Sequence, residues 1–318
     1  MTRAAPVFSS PVLVTGAAGF VGANLVARLA ALGATVHGII RPGSNPWRIE
    51  DVPGDVECHT LDLRHADAVA DVVARVSPGV VFHCAKQSGH PAHMSYRDAY
   101  ETNLFGALSL LEAVSPGTRV VMLGSSLEYG PGDRAFSEDA SLRPNTVHGV
   151  TKAAATALCA HFGQARGLAV VTLRLFTVYG PWESPERFIP SLVRCVRTGQ
   201  PFALTGPGLV HDWIHVDDVV DACVMAAHAK MTGGDVVNIG TGLQTANEDV
   251  VAIIERLIGR ELPRQSRTYD ASVHDRPCWM ADIAKARDTL QWAPQLQLTD
   301  GLAATLAWFG EHGEAYGW

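Results

Sequence analysis

Short runs of β-branched and aliphatic residues alternate with longer segments whose apolar residues return every three or four positions, and this rhythm fills the first half of the chain. Strands are predicted at 11–15, 35–40, 56–60, 80–83, 119–123 and 169–175. Between the first two, residues 21–32 set Leu25, Leu29 and Leu32 on one helical face, and Gly33 follows as a C-cap. Strands alternating with helices imply crossover connections, so the expected fold is α/β, a doubly wound parallel sheet of the Rossmann type. After Val178 the rhythm loosens. Residues 179–208, punctuated by Pro181, Pro185, Pro190, Pro201 and Pro207, read as a loop, a helix at 189–198 and another loop. A helix at 216–228 and a strand at 235–239 restore the pattern, and the tail from Asn247 is helical, irregular, then helical again. Residues 1–178 plus 212–242 are therefore expected to form a dinucleotide-binding domain. Residues 179–211 plus 243–318 would form a smaller C-terminal substrate-binding lobe, with the ligand cleft between them.

With 318 residues, 47% hydrophobic and 18% charged, the chain can bury a sizeable core and is not a disordered polymer. A net charge of −7 without clustered Lys and Arg argues against a nucleic-acid partner. Any anionic ligand must be met by local donors. The cysteines Cys58, Cys84, Cys159, Cys195, Cys223 and Cys278 form no CxxC pair and read as reduced thiols, which with the lack of a signal-like N-terminus implies a cytoplasmic protein. Charges, Gly and Pro interrupt every apolar run before membrane-spanning length, so no membrane partner is expected.

The strongest local signal is the segment Val12-Leu13-Val14-Thr15-Gly16-Ala17-Ala18-Gly19-Phe20-Val21-Gly22, where a strand runs into a helix. Glycines at Gly16, Gly19 and Gly22 let backbone approach a pyrophosphate, and the helix start offers free N–H groups to its charge. The second strand ends at Ile39-Ile40-Arg41, where an acidic residue would bond a ribose 2′-OH but Arg suits a 2′-phosphate. Arg41 therefore favours NADP over NAD, unless it is a solvated surface arginine. Asp62 is placed to meet the adenine edge or to N-cap the next helix.

Further segments in the same order complete a family pattern: Val81-Phe82-His83-Cys84-Ala85, Asn103-Leu104-Phe105-Gly106, Gly124-Ser125-Ser126-Leu127-Glu128-Tyr129-Gly130, Arg174-Leu175-Phe176-Thr177-Val178-Tyr179-Gly180-Pro181, Asp212-Trp213-Ile214-His215-Val216-Asp217-Asp218 and Asn238-Ile239-Gly240-Thr241-Gly242. Over nearly its whole length the chain resembles an extended short-chain dehydrogenase/reductase of the NAD-dependent epimerase/dehydratase type. The resemblance implies an NAD(P)-dependent enzyme acting on a nucleotide-diphosphate sugar, working as a homodimer. It adds Phe20, Val21, Leu63, Cys84, Ala85 and Asn103 to the expected cofactor lining, and Ser126 to the substrate side.

In that family a Ser or Thr, a Tyr and a Lys handle the proton, with Tyr and Lys spaced as YxxxK so that the ammonium lies beneath the phenol and lowers its pKa. Ser125 and Lys152 match, Lys152 also being a cofactor contact. His148 stands in place of the Tyr. Imidazole titrates near working pH, and an adjacent ammonium favours its neutral form, which can donate or accept a proton. His148 is thus a substituted acid/base, or a ligand contact while Tyr129, Tyr96, Cys84 or Glu128 moves the proton, or the mark of lost redox chemistry. Family dehydratases carry acids after the Ser/Thr, where this chain has Ser126 and Leu127. The implied reaction is epimerisation through a transient keto sugar, or NADPH-dependent reduction of a keto sugar. A catalytically silent binding regulator is the reading from another class. On the substrate side, Arg276 resembles the family's phosphate- or ribose-binding arginine and Arg187 is a second candidate. Thr177 and His211 stand where an Asn and an Arg are usual. Among thirteen His, neither His90 and His93 nor His211 and His215 have ligand spacing, so no metal is expected.

Overall fold

A computed structural model describes residues 7–87, 95–204, 208–231, 233–265 and 278–318. In chain order its larger part contains β1 (Val12–Thr15), α1 (Phe20–Ala31), β2 (Val36–Ile40), β3 (Val56–Thr60), α2 (Ala66–Val76), β4 (Val80–His83), α3 (Tyr96–Tyr100), a π-helical turn (Glu101–Phe105), α4 (Gly106–Ala113), β5 (Arg119–Ser125), α5 (Val147–Arg166) and β6 (Ala169–Leu175). It continues through β7 (Thr177–Tyr179), α6 (Phe188–Thr198), β8 (Phe202–Ala203), β9 (Val210–His211), β10 (Trp213–His215), α7 (Val216–His228), β11 (Asp235–Ile239), β12 (Thr245–Ala246), α8 (Asn247–Ile258), β13 (Arg264–Gln265) and α9 (Leu298–His312).

Seven strands make one sheet in the order β11-β6-β5-β4-β1-β2-β3, and every neighbouring pair is parallel. This is the expected doubly wound sheet. Val12 of β1 pairs with Val36 of β2 on one side and Val80 of β4 on the other, so the strand order reverses there. In such sheets the ligand crevice opens at the carboxyl ends of the two strands that flank the reversal, here β1 and β4.

Alternation along β1 decides the layers: Val12 and Val14 join the core under α1 and α7, whereas Leu13 joins the core under α2, α4 and α5. A third core gathers Leu192 of α6, Ile254 of α8, Leu302 and Phe309 of α9 and Trp213. Among the described residues no helix is long and apolar enough to cross a membrane.

Boundaries differ from the sequence reading in one place that matters. β5 runs two residues past 123, because Gly124 and Ser125 continue the ladder with Arg174 and Leu175 of β6. A polar tail hides the strand from a hydrophobic pattern, yet it puts Ser125 on the sheet. The two- and three-residue pairings β7 with β10, β9 with β12 and β8 with β13 are too short to show a period of two and were not expected.

Candidate active site

The glycine-rich turn is shaped by contact. Gly16 has φ +66°, and a Cβ there would lie 2.7 Å from Ala85 Cα, while one on Gly22 would lie 2.2 Å from Gly16 O. Only hydrogen fits at either position. Gly19 donates its N–H to Gly16 O at 2.9 Å and forms the N-cap of α1 with no side-chain cap and no acid in the first turn. The first-turn N–H groups of the half-buried Phe20 and Val21 therefore keep their positive field for an anion. A cradle that a Cβ would fill, opened to a bare helix start, fits the pyrophosphate of a dinucleotide.

Arg41 follows β2, is exposed, and lies 3.5 Å from Gln87 through Nη1 and Oε1. Asp62 is held by Arg64, accepting from its N–H at 3.0 Å and from Nη2 at 2.7 Å, and this side-chain bonding lowers its pKa. Asp62 is not the N-cap of α2. That position belongs to His65, which makes no side-chain cap. Leu63 is buried against Gly106, where an added Cβ would stand 3.2 Å from Leu63 Cβ. Ala85 N–H donates to Thr15 Oγ1 at 3.3 Å, and burial pushes the neighbouring Cys84 thiol up to about 12, which makes it a poor proton carrier near neutrality.

At the end of β5 the turn Ser126–Glu128 begins with a capping box: Ser125 Oγ accepts from Leu127 N–H at 3.2 Å, and Glu128 Oε1 accepts from Ser125 N–H at 2.9 Å. Ser126 and Glu128 are buried. Glu128 Oε2 also accepts from Thr156 at 2.9 Å and from Arg174 Nε at 2.8 Å. Removing one partner of such a buried pair costs about 3–5 kcal/mol, so Glu128 acts as a brace of the serine turn. Tyr129 is likewise occupied, donating to Asn238 Oδ1 at 2.7 Å, accepting from Arg174 at 3.0 Å and stacking on Phe136. Tyr96 lies on α3 with 68% of its surface exposed.

Thr146 caps α5 by accepting from Gly149 N–H at 3.0 Å. Gly149 packs so closely on the serine turn that a Cβ would stand 2.3 Å from Leu127 O. His148 is half-buried in that first helical turn. One turn on, Lys152 is buried and donates from Nζ to Leu123 O at 2.7 Å, just short of Ser125; burial pushes its pKa down. Close packing thus brings the serine turn and the start of α5 together. The π-helical turn presents Asn103, which accepts from Gln87 N–H at 2.8 Å and donates to Thr151 at 2.9 Å. Thr151 in turn bonds the Val147 and His148 carbonyls at 2.9 and 3.1 Å, so Asn103 couples the segment after β4 to the turn that carries His148.

Thr177 Oγ1 and His211 Nδ1 share a hydrogen bond of 3.4 Å. Arg187, the N-cap of α6, keeps a largely exposed side chain whose Nε lies 3.7 Å from Glu183 Oε1. Arg276 lies outside the described residues.

Two residues here escaped the sequence reading. Lys86 follows Ala85; its side chain touches solvent, but the protein around it, then Arg187 and Lys152, push its pKa down to about 8. Glu183 is buried, its Oε2 has no hydrogen-bond partner among the described residues, and burial pushes its pKa up to about 8. The signals were a lysine directly after His83-Cys84-Ala85 and an acid directly after Tyr179-Gly180-Pro181-Trp182. The Glu183 loop is tied to the glycine-rich turn: Asn24 donates to Pro181 O at 3.0 Å, and Arg48 donates to Trp182 O at 3.1 Å and Ala18 O at 3.4 Å.

Comparison with known proteins supplies relatives for this geometry. Residues 12–240 match the model of the NAD dependent epimerase/dehydratase family. A dTDP-glucose 4,6-dehydratase of Streptomyces griseus is 30% identical over 310 residues, 94% of each chain. Among solved structures, MoeE5 in complex with UDP-glucuronic acid and NAD superposes with a TM-score of 0.84 at 32% identity, covering 95% of this chain and all of that one. A UDP-glucuronic acid 4-epimerase from Bacillus cereus, bound to UDP-glucuronic acid and NAD, gives 0.84 at 27% identity over 95% of this chain and 99% of its own.

Proposed function

We propose that this chain, which belongs to the NAD-dependent epimerase/dehydratase family, is an NAD(P)-dependent nucleotide-sugar epimerase that inverts a sugar carbon through a transient keto sugar. The observation that carries the choice of reaction is the serine turn. Ser126 and Leu127 replace the acids that water loss would use, and the carboxylate of the same turn, Glu128, is fully buried and bonded to Ser125, Thr156 and Arg174. Relatives that bind UDP-glucuronic acid and NAD support the ligand classes. Lys86 and Arg187 are the local cations that an anionic ligand needs in a chain of net charge −7.

A nicotinamide dinucleotide held by the glycine-rich turn, Arg41 and Lys152 would supply the hydride acceptor and donor that oxidation and re-reduction of a sugar carbon require. The residues of the chain do the rest. Ser125 accepts the Leu127 N–H and keeps its own proton to orient and polarise the sugar oxygen. His148 takes the hydroxyl proton as the carbonyl forms and gives it back as the carbonyl is reduced. Lys152 holds the ribose of the cofactor and sets the local potential. Arg41 reads the adenosine ribose and favours NADP, and the chain works as a homodimer.

The test is a panel of UDP- and dTDP-sugars followed by NMR for the inverted sugar, with absorbance reporting NADPH. Inverted product without net NADPH change supports the epimerase. Stoichiometric NADPH consumption makes it a keto-sugar reductase, the reading Arg41 favours; inertness across the panel leaves a binding regulator. His148→Ala is expected to lose about 10²–10⁴-fold in turnover while binding cofactor normally. An Arg41→Ala protein with unchanged NADP/NAD preference would remove Arg41 from the assignment.

A further inference from the structure

Away from the cleft, the parallel register of β2 and β3 sets His37 beside Glu57 and Ile39 beside His59. Side chains two apart on a strand share a face, so His37, Glu57 and His59 gather on the side of the sheet covered by α2. His37 Nδ1 lies 3.1 Å from His59 Nε2 and 3.6 Å from Glu57 Oε2, and Glu57 Oε1 lies 3.8 Å from the other nitrogen of His59. One ligand atom from each residue falls within 4.8 Å of the others.

We propose that His37, Glu57 and His59 form a binding site for a divalent transition-metal ion of zinc type, joining edge strand β3 to β2. Zinc held at about 2.0–2.1 Å from nitrogen and oxygen places tetrahedral ligands about 3.4 Å apart; His37 Nδ1 stands near that spacing from both His59 Nε2 and Glu57 Oε2, and the remaining pair, within 4.8 Å, closes by a swing of the Glu57 side chain. Two imidazoles and a carboxylate suit zinc, nickel or cobalt; calcium and magnesium require oxygen donors. The imidazoles are 14% and 9% exposed and are fixed by the sheet, whereas Glu57, 63% exposed, can swing to complete the set and leave a fourth position for water. Burial pushes the His59 pKa down, Glu57 opposes it, and His37 and Arg75 add to the burial; the neutral imidazole is the form that a metal takes. Arg75 of α2 is the opposing charge, with Asp71 beside it on the same helix. The site lies in mid-strand, before Arg41, so the ion would brace the adenosine end of the sheet and take no part in the chemistry of the cleft.

The test uses the full chain, stripped of metal with a chelator, with and without NAD. Zn²⁺ uptake is measured by calorimetry and Co²⁺ uptake by visible absorption, which reports coordination directly. The wild type is expected to bind one ion at this site, raise its unfolding midpoint with Zn²⁺, and bind more tightly as pH rises through the imidazole range. His37→Gln and His59→Gln are each expected to weaken uptake about 10–100-fold with turnover unchanged. Glu57→Gln, at an exposed position that folding tolerates, is expected to weaken it as well. A His37→Gln/His59→Gln chain that binds Zn²⁺ like the wild type, or a wild type that takes up neither ion, overturns the site and leaves a pair of imidazoles sharing a proton.

Discussion

Glu183 carries the clearest single-residue prediction. Its pKa is raised from the ordinary carboxylate range to about 8, first by burial, so the folded chain holds a proton that the unfolded chain releases near pH 4–5. The stability this contributes is complete below the unfolded value and is lost as pH rises through the folded one. Across that window the wild type is expected to lose on the order of a few kcal/mol relative to Glu183→Gln, which has no proton to lose. Urea unfolding of both proteins at several pH values checks it, and parallel curves would exclude the buried acid as the cause. The contrast with His148 shows what one residue can reveal in a sequence. His148 could be singled out as a candidate because Lys152 stands four places on and Ser125 precedes both in a known order. Glu183 was not, since its burial, with one carboxylate oxygen left unbonded among the described residues, arises only when the loop folds.

At the level of elements, the glycine-rich turn was readable because its constraint is local. Gly16, Gly19 and Gly22 serve one strand-to-helix junction, and their spacing alone implies the turn. Gly22→Ala would drive a methyl to 2.2 Å from Gly16 O, so the turn must open. The expected result is loss of most cofactor affinity together with destabilisation of at least 1–3 kcal/mol by the scale of overpacked cores, read by NAD(H) fluorescence titration and thermal unfolding. Alanine at Gly33, where no atom lies within 4 Å, is the control for φ strain without a clash. The seven-stranded sheet was legible for a similar reason, since buried parallel strands announce themselves as apolar runs. Ser125 and Asn103 could be singled out in the sequence; what stayed hidden was their placement, and any pairing that needs strand register or irregular helix. Ser125 ends a strand whose last two residues are Gly and Ser, Asn103 is aimed by a π-helical turn, and His37 meets His59 only because β2 and β3 are neighbours.

The molecule as a whole leaves Tyr96, Tyr100 and Phe105 exposed at 68%, 39% and 53% along α3 and the turn that follows it. Three aromatics on one short stretch of the larger lobe are apolar surface that a second copy would cover. Sedimentation or light scattering is expected to give a dimer for the wild type and a shift toward monomer for Tyr96→Ser combined with Phe105→Ser; equal masses would place the interface elsewhere. One last consequence belongs to the bonds from Asn24 and Arg48 to the carbonyls of Pro181 and Trp182. They pin the loop after β7 to α1 and, through Ala18, to the very turn on which the cofactor would rest. A latch of this kind would make the residence time of a ligand on that turn a property of the loop. Asn24→Ala with Arg48→Ala is expected to speed NAD(H) dissociation in stopped flow, with less effect on its entry. A chain that keeps one nicotinamide for many cycles has to end each cycle in the oxidation state in which it began.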